Sequence, residues 1–190
     1  MSDYMFMLES HLSGEQGKVL SAVREAAEKA NLNLFLTGGA MRDMMGGFPI
    51  RDLDFTVEGG GVKFARSLAQ KVEAEVQAVD ETRKSVELRF RGNVTASISM
   101  ARQEKYSKPG GKPQVQPATI HEDLRGRDFT VDAIALSLGK ASRGLLLDPT
   151  NGLGDLSHQG AASRNKLHAL RRSVPYSAHD SSARQARVYC

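Results

Sequence analysis

Val19, Leu20, Val23, Ala26, Ala27 and Ala30 recur at three- and four-residue intervals. That period predicts an amphipathic helix over residues 14–30. Ser13 and Gln16 flank its start with the spacing of a capping box. The apolar run 34–37 is too short for a helix and predicts a buried strand. Residues 53–57 predict a second strand. After Gly59-Gly60-Gly61, the positions Phe64, Ala65, Leu68, Ala69 and Val72 predict a helix over 62–72. Residues 74–79, 85–90 and 94–100 alternate apolar and polar, as half-buried strands do. Residues 121–124 and 130–138 read as helical. Residues 107–117, SKPGGKPQVQP, are rich in Pro, Gly and Lys and predict a mobile loop. Strands and helices in mixed order give an α/β or α+β fold.

Composition narrows the class without naming a chemistry. At 190 residues the chain has room for one domain and part of another. No apolar run approaches the roughly 20 residues of a membrane span. The acidic start MSDYMFMLES lacks the basic region of a signal peptide. The single cysteine, Cys190, excludes an intrachain disulfide or a Cys-based metal site and fits a reducing, cytoplasmic setting. Charge is unevenly placed. Residues 1–155 hold 20 Lys and Arg against 21 Asp and Glu, whereas 156–190 hold 6 against 1. The basic excess fits either attraction to an RNA backbone or an ordinary solvated helix face.

The chemistry concentrates in residues 36–59, LTGGAMRDMMGGFPIRDLDFTVEG. Gly38 and Gly39 permit a bend and a close approach to phosphate oxygens. The residues after them can open a helix whose N–H groups face an anion. Arg42 can fork onto a phosphate. Asp52 and Asp54 alternate around Leu53, so on a strand both carboxylates leave one face. Two adjacent carboxylates repel unless a cation sits between them, and Mg2+ is the usual one.

These residues resemble the head of the class II tRNA nucleotidyltransferases and bacterial poly(A) polymerases, whose hallmark is GG-x-x-RD followed by D-x-D. Three further segments, in family order, carry the resemblance. RGRDFTVDAIA at 125–135 is similar to the ribose-binding segment RRDFT-x-NA. Asp148-Pro149 with Gly152 and Asp155-Leu156 is similar to the DP-x-GG-x-x-DL linker. MARQEK at 100–105 with Tyr106 is similar to the A-R-x-E-x-Y strand exit. The resemblance implies an α+β, polymerase-β-like head with a small, mostly antiparallel sheet over 1–155. It also implies the start of a helical neck over 156–190, so the chain reads as a head with a stub of neck.

The same resemblance implies template-independent transfer of NMP from ATP or CTP to an RNA 3′ end, most naturally the CCA end of tRNA. Poly(A) addition, and partial A- or C-addition, share these motifs. Asp52 and Asp54 become catalytic Mg2+ ligands. Gly38, Gly39 and Arg42 hold the triphosphate, and Asp43 orients Arg42 or the turn. Arg127 and Asp128 hold the nucleotide sugar, or Asp128 caps the backbone at Thr130 and Val131. Arg102, Glu104 and Tyr106 line the same cleft or form a structural ion pair. Arg184 and Arg187 stand where the family reads the incoming base.

Three positions depart from the family pattern. Ser97 stands where many members carry a third acid, Asp132 replaces the Asn of the ribose segment, and Ser181 replaces the base-reading Asp. An extra carboxylate near a triphosphate is unfavourable without a compensating cation or proton. These departures leave open a second reading, a nucleotide- or RNA-binding domain without efficient catalysis.

Overall fold

The computed structural model describes residues 3–105 and 114–162, with side chains in the last helix as far as Ser157. One compact unit runs Met1–Ser157. It opens with α1 (Asp3–His11) and α2 (Gly14–Lys29). The capping box at Ser13 and Gln16 forms as the sequence predicts. The Gln16 side chain does more, because its amide also donates to the carbonyls of Ile50 at 2.8 Å and Arg51 at 3.3 Å. It therefore ties the start of α2 to the segment leading into Asp52.

The chain continues through β1 (Leu34–Thr37), α3 (Gly38–Met45), β2 (Leu53–Val57), α4 (Gly61–Val72), β3 (Glu75–Asp80), β4 (Ser85–Phe90) and β5 (Val94–Met100). Then come β6 (Arg102–Lys105), β7 (Gln114–Pro117), α5 (Ile120–Arg125), a 3-10 turn at Thr130–Asp132, β8 (Ala135–Ser137), β9 (Leu146–Leu147) and α6 (Gly152–Ala162). Seven strands form one sheet in the order β3-β4-β5-β2-β1-β8-β9. Only β2 with β5 is parallel, and the other pairings are antiparallel. The fold is α+β with a mostly antiparallel sheet, as expected.

Strand parity gives this sheet two unlike faces. Leu34, Leu36, Leu53, Phe55, Val57, Leu88 and Ile98 are buried in the main core with apolar residues of α2 and α4. The opposite face carries Thr37, Asp54, Thr56, Ser97 and Ser99, with a small apolar cluster of Phe35, Ile120, Leu124, Ala133 and Ala135 beside them. The apolar face holds the sheet to its helices. The polar face is where chemistry can sit.

Two sequence expectations need correction. Residues 130–138 are not a helix but a 3-10 turn followed by β8. Ala133, Ile134, Ala135 and Leu136 are fully buried, and an apolar run buried all round carries no period to tell strand from helix. Gln114–Pro117, expected as loop, is strand β7, paired in register with β6 from Arg102↔Pro117 to Lys105↔Gln114. Among the described residues no helix is long and apolar enough to cross a membrane. The expected neck, residues 156–190, lies outside the described residues beyond Ala162.

Candidate active site

Asp54 sits on β2 between two polar neighbours. Its register partner on β5 is Ser97, whose hydroxyl donates to Asp54 Oδ1 at 2.8 Å. On the other side the first turn of α3 points at it, and the Ala40 N–H donates to Oδ2 at 3.4 Å. Only the backbone of Thr37 caps α3, with no side chain across its N-terminus. A Cβ added at Gly38 or Gly39 would lie 3.3 or 3.2 Å from Asp54 Oδ2, and Gly38 has φ of +61°. The glycines thus make room for the carboxylate as well as the turn. Anything bound at the open N–H groups of α3 would stand directly beside Asp54.

Asp52 and Asp54 are both half-buried. Burial raises the pKa of Asp54 above the ordinary 3.8. The hydrogen bonds from Ser97 and Ala40 oppose that rise, and the nearby charge of Asp52 adds to it. Among the described residues neither Asp52 nor Asp54 forms an ion pair with Lys or Arg. Two close, under-compensated carboxylates with free lone pairs suit a hard divalent cation. Among the described residues no group of three or more His, Cys, Asp or Glu could hold a metal ion. A cation here would take Asp52 and Asp54, with water or phosphate oxygens completing its shell, and the residues present fit that demand.

Arg42 is only 12% exposed, and its Nη1 donates to Asp132 Oδ1 at 2.7 Å. Its Nε lies 3.8 Å from Asp43 and makes no hydrogen bond. Asp43 also accepts from Arg51 at 3.3 Å. The compensating cation that Asp132 requires is therefore Arg42. Burial nonetheless raises the Asp132 pKa, with Arg42 and then Arg127 pulling it down.

Arg127 lies beneath the site and uses every guanidinium nitrogen. Nε and Nη2 donate to Asp123 Oδ2 at 3.0 and 2.7 Å, Nη1 to the Asp132 carbonyl at 2.9 Å, and Nη2 to Thr56 Oγ1 at 3.3 Å. Thr56 continues the chain to Thr37 at 2.9 Å and Ser99 at 3.2 Å. Asp123 Oδ1 accepts the Arg102 N–H at 3.1 Å. One guanidinium thus joins α5, the 3-10 turn and β2. Sequence reasoning missed Asp123, Thr37, Thr56 and Ser99. The alternating Thr95, Ser97 and Ser99 were the available signal that one face of β5 is polar.

The remaining expected residues divide. Arg102 pairs with Glu104 at 3.0 Å. Asp128 is exposed, and the turn after it begins at Phe129 with no side-chain cap, so Asp128 does not cap Thr130 and Val131. In the linker motif, Asp148 accepts from the N–H groups of Gly152 at 2.7 Å and Leu153 at 3.0 Å and so caps α6. Asp155 accepts from the Thr130 hydroxyl. A Cβ on Gly152 would run into the Thr130 carbonyl, so only glycine fits there. Linker and ribose-type segment are one packed unit. Tyr106, Ser181, Arg184 and Arg187 lie outside the described residues.

A glycine-opened helix set against a strand that carries Asp54, with Asp52 in the bend just before it, on a mostly antiparallel sheet, defines a head of the nucleotidyltransferase type. The chain belongs to the poly A polymerase head domain family, which matches residues 34–161. It is 35% identical over 158 residues to the A-adding tRNA nucleotidyltransferase of Halalkalibacterium halodurans, covering 83% of this chain and 37% of that protein. It is 37% identical over 129 residues to the CC-adding tRNA nucleotidyltransferase of Deinococcus radiodurans, covering 66% and 33%. The solved apo form II of a CCA-adding enzyme superposes with a TM-score of 0.73 at 27% identity, over 82% of this chain and 37% of that one. The chain thus spans about a third of the length of these relatives.

Proposed function

We propose that this chain is the nucleotide-handling head of an RNA nucleotidyltransferase that transfers NMP from ATP or CTP to an RNA 3′ end, with tRNA the favoured acceptor. The observation that carries the reading is Asp54 held against the open N-terminus of α3, with the charge of Asp52 close beside it. The names of the relatives, A-adding and CC-adding tRNA nucleotidyltransferases, support the choice of nucleotides and acceptor.

The residues divide the work by position. Gly38, Gly39 and the first N–H groups of α3 receive the triphosphate. Arg42 adds charge there once its hold on Asp132 is shared with phosphate oxygens. Asp52 and Asp54 would hold Mg2+, which supplies charge stabilisation at the α-phosphate and favours the deprotonated 3′-hydroxyl. Ser97 orients Asp54. Arg127 acts from beneath, fixing the ribose-type turn against β2, so its effect on sugar preference is exerted through that turn. Asp128, exposed beside it, is free to meet the sugar.

Ser97 in register with Asp54 favours one alternative, nucleotide binding with slow or absent transfer. Labelled ATP and CTP, each incubated with the full chain, Mg2+ and a tRNA lacking its CCA end, separate the readings. Incorporation that Asp54→Asn removes is the expected result. Nucleotide binding without incorporation would leave the alternative standing. Incorporation of A alone, of C alone, or of A into any RNA would assign partial addition or poly(A) synthesis.

A further inference from the structure

Glu87, on β4, shares a row with Asp54. It pairs with Ser97 across β4 and β5, and Ser97 pairs with Asp54 across β5 and β2. Its neighbours Val86 and Leu88 are 1% and 0% exposed in the main core. Alternation therefore turns Glu87 to the opposite, polar face, where Asp54 also points. Glu87 is half-buried. Among the described residues it has no hydrogen bond or ion pair. A partly desolvated carboxylate without a partner calls for an explanation.

Spacing decides what that explanation can be. Adjacent strands lie about 4.8 Å apart, so Glu87 and Asp54 are roughly 10 Å apart at the backbone. One small cation cannot take both carboxylates directly, in keeping with the absence of a three-acid cluster among the described residues. Ser97 between them is short, and its hydroxyl is turned onto Asp54 Oδ1. Mg2+ sheds water reluctantly and keeps several waters when bound. A carboxylate at this remove is placed to accept from such a water.

We propose that Glu87 is a positioning residue of the candidate site: across Ser97, its carboxylate accepts a hydrogen bond from a water on the cation held by Asp52 and Asp54. The acid expected at Ser97 is then supplied from the neighbouring strand. The inference rests on the proposed function only in needing a divalent cation at Asp52 and Asp54.

Mn2+ binding to the full chain, followed by electron paramagnetic resonance without nucleotide, tests it. Glu87→Gln keeps the shape and removes the charge. It should weaken Mn2+ by about 10- to 100-fold, the usual cost of losing a partner to a metal's own ligands. Thermal unfolding of metal-free protein should stay unchanged. Glu87→Asp, and Ser97→Glu added to Glu87→Gln, should each restore part of the affinity. Asp54→Asn should abolish binding. If Asp54→Asn loses Mn2+ while Glu87→Gln binds as the parent does, the role of Glu87 is overturned and the Asp52–Asp54 reading stands. If Glu87→Gln also unfolds at lower temperature and neither restoring change recovers affinity, Glu87 is structural and the inference fails. If the unaltered chain binds no Mn2+, both fall.

Discussion

β2 contributes to both faces of one sheet, and the two faces are built on different principles. Leu53, Phe55 and Val57 are fully buried among apolar neighbours and need only to fill space. Asp54 and Thr56, alternating with them, are held by directed bonds to Ser97, Ala40, Thr37, Ser99 and Arg127. Burial of apolar area is non-directional and scales with area. A buried polar network stabilises only when every member is satisfied. Arg127 and Asp123 meet that condition, whereas Asp54 and Arg42 do not. The first face is optimised for folding. The second keeps uncompensated charge in reserve, and that is what a ligand would use.

The sharpest way to test the contrast is to break each face in turn. Phe55→Ala opens a cavity in the main core and should cost about 3–5 kcal/mol, measured by urea unfolding. Arg127→Met comes next. It strands the buried Asp123 carboxylate and unties the 3-10 turn, costing roughly 2–4 kcal/mol, somewhat below a fully buried pair. Adding Asp123→Leu should recover much of that loss, because removing both partners spares the remaining charge. If Arg127→Met proves neutral, the polar face is not held as described.

Asp54→Asn should move stability the other way. It removes a carboxylate that burial disfavours, so ligand-free protein should gain about 1 kcal/mol at neutral pH, or some 2–4 °C in Tm. The pH dependence follows from the raised pKa. A carboxyl that titrates higher when folded than unfolded binds protons more tightly in the fold. Its contribution to stability is fully present below the unfolded value near 3.8 and is lost as pH rises through the folded value. The advantage of Asp54→Asn over the parent should therefore be largest at neutral pH and vanish near pH 4. A difference curve that is flat with pH would contradict the placement of Asp54.

Asp132→Asn should have the smallest effect on folding. Burial already disfavours the Asp132 charge and Arg42 keeps Asp43 nearby, so the lost pair is largely offset and stability should change by about 1 kcal/mol. Its functional consequence is more telling. With Arg42 released from the Asp132 carboxylate, ATP should bind some 3- to 10-fold more tightly, the gain expected when a competing arrangement is removed. Isothermal titration with a non-hydrolysable ATP analogue measures it. Weaker binding would mean that Asp132 positions Arg42 rather than competing for it.

Much of this protein is legible locally. The capping box at Ser13, the period over α2 and α4, and the alternation in β2, β4 and β5 follow from residues within a few positions of one another. So does the conjunction of Gly38, Gly39 and Arg42 with Asp52 and Asp54, because the turn, helix and strand that carry them are consecutive. Tertiary structure alone decided the rest. The all-apolar stretch after Asp132 became β8 because β1 offered it an edge, which no period within the stretch could announce. Arg42 meets Asp132 across 90 residues. Arg127 spends its nitrogens on Asp123, Thr56 and a carbonyl, and Glu87 falls in a row with Asp54 only through the registers of three strands. Side-chain alternation is set by the backbone of each strand. Which residues face each other across strands is set by how the whole sheet buries its apolar side, and a one-residue shift in any pairing would have placed different residues beside Asp54.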